Sequence, residues 1–198
     1  LILVWSFGIP FLALFMTMVV AIILGMGLPT TAAYLILATV VAPALSEIGV
    51  PMLTAHMFVF FYGCVSTITP PVALASYVAA SIANAKINKV GWTAFAYGTT
   101  CYILPFMFFY GPALLLDEKI NLILLSIPTA ILGVFCITIF VIGYYKSHVN
   151  YFKRAIMGLS GILLLLQGIF TDIVGIIILS LFLIDQNKHL IKRRKNGT

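Results

Sequence analysis

No Asp, Glu, Lys, Arg or His precedes Glu47, and residues 90–116 and 120–145 are equally free of those side chains. Uncharged apolar runs of about 18 residues or more are long enough to cross the ~30 Å hydrocarbon core of a bilayer. Hydrophobic residues make up 63% of the chain and charged ones 8%, against roughly 25% charged in soluble domains. The solvent that suits such a sequence is lipid. In lipid each backbone N–H and C=O must find its partner within the span, which predicts an all-α integral membrane protein.

That constraint makes two interruptions informative. Gly25-Met26-Gly27-Leu28-Pro29-Thr30-Thr31 and Ser66-Thr67-Ile68-Thr69-Pro70-Pro71 lie about forty residues apart inside apolar sequence. Glycine adds backbone entropy to a helix, and proline lacks the N–H and clashes with the preceding turn. Irregular backbone at membrane depth survives only inside protein or beside a water-filled cavity. Paired breaks of this kind occur at the midplane sites of secondary transporters.

The helices follow from the spacing of these signals. A first half-helix is expected over Phe11–Leu24 after a bend at Gly8 and Pro10, and a second over Thr31–Ser46, with Pro43 bending or ending its last turn. At 1.5 Å per residue the second reaches about 24 Å, too short to cross, so the pair reads as a re-entrant hairpin over residues 1–50. Pro51 opens the next helix, which runs to about Cys64, and Val72–Ala85 continues it beyond the second break. Residues 51–89 are then one discontinuous transmembrane helix.

Two transmembrane helices are expected over 90–146. Trp92 starts the first at interfacial depth, with bends at Pro105 and Gly111-Pro112; Ile120–Tyr145 is the second. Residues 147–198 read as a short helical hairpin and a basic tail, because Asp172 would be costly at the bilayer centre and cheap as the N-cap of a second short helix. With this layout Lys86, Lys89, the 146–154 loop and the tail all fall on the cytoplasmic side, as the positive-inside rule asks.

Other function classes find little support. Lys192-Arg193-Arg194-Lys195 follows a span and reads as a membrane anchor rather than a nucleic-acid patch. Cys64, Cys101 and Cys136 stand singly in apolar segments, which suits small buried hydrophobes and neither a disulfide framework nor a metal site. His56, Cys64 and Ser66 are too far apart along one helix to form a nucleophile and base, and no catalytic motif falls within a span, so the chain does not read as an enzyme. The start at Leu1, without a basic leader region, suggests part of a longer protein.

The breaks themselves carry the chemistry. The helix ending near Gly25 points carbonyls at the tip, suited to Na⁺, and the helix starting after Pro29 points N–H groups back, suited to a carboxylate. Gly25 and Gly27 permit close approach to the backbone, and Thr30 and Thr31 add hydroxyl oxygens. Ser66, Thr67 and Thr69 repeat the arrangement at the second break, where Pro70 frees upstream carbonyls. Gly25, Thr30, Ser66 and Thr69 are the Na⁺ candidates. The competing account is a proline-kinked helix whose hydroxyls merely bond back to its own carbonyls.

The stretches Gly25–Tyr34 (GMGLPTTAAY), Thr67–Ala83 (TITPPVALASYVAASIA) and Phe108–Leu116 (FFYGPALLL) resemble the second half of the large permease subunit of tripartite ATP-independent periplasmic (TRAP) transporters. The likeness covers roughly residues 1–145 and is nearest to the fused-permease branch that works with TAXI-type binding proteins; Gly168–Gly175 (GIFTDIVG) resembles that branch's C-terminal tail. The resemblance implies an elevator-type fold of two inverted repeats, of which this would be the second. Gly25–Thr31 would be a hairpin tip and Ser66–Pro71 the unwound part of the next helix. It further implies Na⁺-coupled uptake of an organic anion, a carboxylate, handed over by a periplasmic binding protein. Small-permease helices, fused upstream or separate, would complete the assembly in a bacterial or archaeal cytoplasmic membrane; no cofactor beyond the coupling ion is implied. Many relatives carry an acidic residue shortly after the first tip glycine; the Gly-Leu-Pro-Thr-Thr found here fits the TAXI-type branch and leaves the substrate open. A binding-protein-independent carrier of the same architecture, or an intramembrane enzyme completed by residues elsewhere, are the alternatives.

Overall fold

A computed structural model of the protein describes residues 10–196, with side chains described as far as Gln186. The chain divides into two compact units, one ending at Leu115 and the other beginning at Leu116. Apart from a two-residue antiparallel ladder, Tyr144–Tyr145 with Ser147–His148, the regular structure among the described residues is helical.

In the first unit α1 (Pro10–Gly25) and α2 (Thr30–Glu47) are joined by a tight turn, and α3 (Met52–Val65) packs against both. A 3-10 turn at Ser66–Ile68 interrupts the chain before α4 (Leu74–Ile82), followed by α5 (Ile87–Tyr97), α6 (Thr99–Tyr110) and a second 3-10 turn at Pro112–Leu115. The helix α3 is apolar except at Thr54 and His56, and its buried side packs among its neighbours while Met52, Leu53 and Phe60 are exposed. Its Phe58, Val59 and Tyr62 are fully buried. Phe58 and Phe106 of α6 meet edge to face at 5.5 Å between ring centres, and Phe58 and Tyr62 at 4.8 Å. On the other flank Gly63 lets α2 approach, since a Cβ there would touch Leu37 at 3.4 Å and Ala33 at 3.7 Å.

The second unit contains α7 (Ile120–Ile142), α8 (Tyr151–Leu165) and α9 (Ile169–Asn196). Leucine gains little by leaving lipid for a helix face, so these helices associate through small residues that allow close contact. A Cβ on Gly161 would lie 2.5 Å from Ile137 Cγ1 and 3.1 Å from its backbone nitrogen; one on Gly133 would lie 2.9 Å from Leu165. The Ser160 hydroxyl donates to the Gly175 carbonyl at 2.9 Å, tying α8 to α9. Polar groups gather where the apolar segments end: Lys153 pairs with Asp185 at 2.5 Å, and Arg154 donates to the Phe140 and Val141 carbonyls at the C-terminus of α7.

By length and composition, Thr30–Glu47, Ile120–Ile142 and Ile169–Gln186 are long and apolar enough to cross a membrane, so the helix expected over Thr31–Ser46 is not, as its sequence suggested, too short to cross; Pro10–Gly25 and Met52–Ile68 are shorter apolar helices. The protein is thus all-helical in its membrane segments, with three candidate spans among the described residues.

The helix carrying Pro43 ends at Glu47, four residues past the proline, and Gly49 at φ +86° lies just beyond its end. Several local expectations need correction. Trp92 lies within α5, which starts earlier, at Ile87. The segment expected as one helix breaks at Gly98, and α6 carries Pro105 inside it. Ile68 packs closely at this point, so that a Cβ on Gly98 would lie 2.7 Å from its Cδ1. Asp172 is not an N-cap. The turn before α9 is closed by Thr171, whose hydroxyl accepts from the Gly168 N–H at 3.0 Å and donates to the Gly168 carbonyl at 2.8 Å. Asp172 lies in the first turn, where the helix dipole favours a carboxylate, although its Oδ1 is buried without a hydrogen-bond partner. The Gly8 bend and the side chains of Lys192–Lys195 lie outside the described residues.

Replacing Gly161 by Val should force α7 and α8 apart at a backbone contact, at a cost of roughly 1–3 kcal/mol. A lowered midpoint in detergent thermal unfolding is the expected result; an unchanged midpoint would rule out the close helix crossing at Gly161.

Candidate functional site

The two breaks meet. Gly25 closes α1 against the start of the 3-10 turn, so that a Cβ on Gly25 would lie 2.6 Å from Ser66 Oγ and 3.0 Å from Ser66 Cβ. Two residues on, Gly27 adopts φ +79°, a conformation L side chains rarely take, and its Cβ position faces Val72 Cγ1 at 3.7 Å. Both glycines are therefore required by the tip, one for space and one for its backbone angle.

The tip turn is short. The Met26 N–H donates to the Ile22 carbonyl at 3.0 Å and the Leu28 N–H to the Gly25 carbonyl at 3.3 Å. The next helix opens at Pro29, whose lack of an N–H costs nothing there, and no side chain caps its first N–H groups. Thr30 and Thr31 flank that uncapped end with exposed side chains.

In the second break the hydroxyls bond back to the helix they leave. Ser66 donates to the Gly63 carbonyl at 2.8 Å, Thr67 to Cys64 at 2.7 Å and Thr69 to Val65 at 2.6 Å. This is the arrangement of the kinked-helix account, and it has a second consequence. A hydroxyl that has spent its one proton on a carbonyl presents only lone pairs to anything else. Thr69 itself is extended and the chain then turns through Pro70–Val72; Pro70 and Pro71 supply no N–H, and the Pro70–Pro71 peptide is cis. Ala73, at φ +36°, turns the chain into α4, its N–H donating to the Thr69 carbonyl at 3.0 Å.

Of the residues singled out in the sequence, Gly25, Gly27, Ser66, Thr67, Thr69 and Pro70 thus belong to one junction in the first unit. Ser66 and Thr69 are buried there, while Thr30 and Thr31 stand on its exposed side. His56 lies apart, its Nδ1 3.1 Å from the Tyr34 hydroxyl, packed between α3 and α2.

Three tyrosines at the junction carry no sequence signal. Tyr102 of α6 places its hydroxyl 2.6 Å from Thr69 Oγ1, and Tyr62 donates to the Tyr102 carbonyl at 2.6 Å. Tyr77 of α4 donates to the Pro71 carbonyl at 2.6 Å. Each lies in apolar sequence where a tyrosine is indistinguishable from a packing aromatic.

A model of the family described as the tripartite ATP-independent periplasmic transporter, DctM component, matches residues 3–123. The chain belongs to the DctM family. It is therefore a TRAP transporter permease, from a family of transporters rather than enzymes, and a multi-pass membrane protein. No curated protein and no solved structure matches it. The match spans the whole described part of the first unit, so the junction of the two breaks lies entirely within DctM-like sequence.

In this DctM-family permease Gly25→Ala must displace Ser66, whose hydroxyl is already held by Gly63. Uptake by the intact transporter should fall by about tenfold or more, and adding Ser66→Gly should recover part of the loss. Strict additivity of the two changes would show that the residues do not touch.

Proposed function

We propose that this chain is the second half of a large TRAP permease of the fused, TAXI-type branch, and that the junction of its two breaks is half of a site for Na⁺ and an organic anion. The observation that carries the proposal is the contact of Gly25 with Ser66, which brings the last residue of α1 against the start of the second break inside sequence built for lipid. Irregular backbone in such surroundings is tolerated where it lines a cavity or a ligand site, and this pairing of breaks is the arrangement in which transporters hold substrate and ion.

The division of labour follows from the donors and acceptors. Ser66, Thr67 and Thr69, with their protons given to carbonyls, are left as neutral oxygen ligands, which suit a hard cation such as Na⁺. The uncapped N–H groups after Pro29 offer positive potential to a carboxylate, while the exposed Thr30 hydroxyl beside them adds a further oxygen for the cation. In this reading α1, the tip and α2 form a re-entrant hairpin, α3 and α4 the halves of one discontinuous helix, and both move as parts of an elevator. A periplasmic binding protein delivers the substrate, small-permease helices complete the assembly, and the basic tail lies on the cytoplasmic side of the cell's inner membrane.

The test is uptake by the intact transporter in proteoliposomes as Na⁺ is varied. Thr30→Val and Thr69→Val each remove one oxygen ligand, worth about 1.4 kcal/mol for a tenfold change in affinity, so Na⁺ half-saturation should rise about tenfold. Neutralising Arg193 or Arg194 should leave it unchanged. Na⁺ curves identical to wild type in both threonine variants would remove the site.

A further inference from the structure

The Thr69 hydroxyl is held from two sides. It gives its proton to the Val65 carbonyl at 2.6 Å, and the Tyr102 hydroxyl stands 2.6 Å away on the other side. A threonine has one hydroxyl proton, so with that proton committed to Val65 the second bond must use the proton of Tyr102. The Thr69 oxygen is then left with one free lone pair and a fixed direction. Tyr102 is itself held in place: its backbone carbonyl accepts from the buried Tyr62 hydroxyl at 2.6 Å, and its ring packs on Phe95 at 5.1 Å. The chain of contacts runs from α3 through α6 back to the segment that unwinds from α3.

We infer that Tyr102 is a positioning residue for the ion site, its hydroxyl aiming the remaining lone pair of Thr69 at the coupling cation. The inference rests on the reading of the junction as a Na⁺ site. It adds a residue on a separate helix, 33 positions from Thr69 in the sequence. Without the tyrosine proton the Thr69 side chain can rotate or accept a different donor, and the oxygen is no longer presented in one direction. The effect falls on how well Na⁺ binds rather than on how fast the loaded permease turns over.

The experiment is Na⁺-dependent uptake by the intact transporter in proteoliposomes, with Na⁺-induced thermal stabilisation of the purified permease, measured against K⁺, as a readout independent of transport. Tyr102→Phe differs from wild type by the hydroxyl alone, and Tyr102→Met is a second variant without it. For whichever folds, Na⁺ half-saturation should rise three- to tenfold while uptake at saturating Na⁺ stays within twofold of wild type. Combined with Thr69→Val, the Tyr102 change should add nothing further, whereas Thr69→Ser should retain the wild-type curve. An unshifted Na⁺ curve in Tyr102→Phe, with Thr69→Val shifted, overturns the role of Tyr102 and leaves the site standing. Unshifted curves in Thr69→Val and Thr30→Val remove the site and the inference together. A loss confined to maximal uptake, or failure of both Tyr102 variants to fold, would assign Tyr102 to the framework alone and also overturn the inference.

Discussion

Backbone polar groups in hydrocarbon cannot fall back on water, and the first unit is arranged around that rule at the two places where its helices stop. At each place the chain spends local groups to close its own gaps. The tip turns its N–H groups onto the last carbonyls of α1, and three hydroxyls of the second break return to carbonyls of α3. An unsatisfied group there would cost several kcal/mol. The glycine at 25 then allows the two repaired ends to touch, which no larger residue would permit. The central position of α3 follows, because this helix must support both the tip and the unwound segment that continues it.

The second unit solves a plainer problem. Its helices have no breaks of this kind and associate through glycines and a serine hydroxyl, with ion pairs and capping cations kept to the ends of the apolar segments. The contrast is informative within one chain: the two breaks lie in the unit whose described residues the DctM match covers, while the unit that begins at Leu116 is made of helices joined by turns and the short Tyr144–His148 ladder.

The helices were largely legible because apolar runs and Gly/Pro punctuation are local signals. The expected Phe11–Leu24 and Thr31–Ser46 helices run from Pro10 to Gly25 and from Thr30 to Glu47, and the break at Ser66 falls where its hydroxyls and prolines put it. What could not be read depends on partners distant in sequence. The helix is interrupted at Gly98, which packs closely against the distant Ile68, while Pro105, the stronger local signal, stays inside α6. Thr171 closes the turn that Asp172 was expected to cap. The Tyr102 hydroxyl matters only because folding brings it to Thr69. The meeting of Gly25 with Ser66 was likewise beyond any pattern in the sequence, which could say that two breaks exist and not that they touch.

The central claim, that the hairpin tip and the unwound segment face one another in the membrane, is tested most directly by cysteine cross-linking at positions 27 and 72, once thermal unfolding has shown that the strained Gly27→Cys change leaves the permease folded. The intact permease, with Cys64, Cys101 and Cys136 replaced, would be treated in the membrane with a short thiol cross-linker and read by peptide mass spectrometry. The Cβ position of residue 27 lies 3.7 Å from Val72 Cγ1, so the linked peptide should form readily, and a pair at positions 27 and 40 should not. Absence of the 27–72 link, with both cysteines reactive singly, would contradict the account.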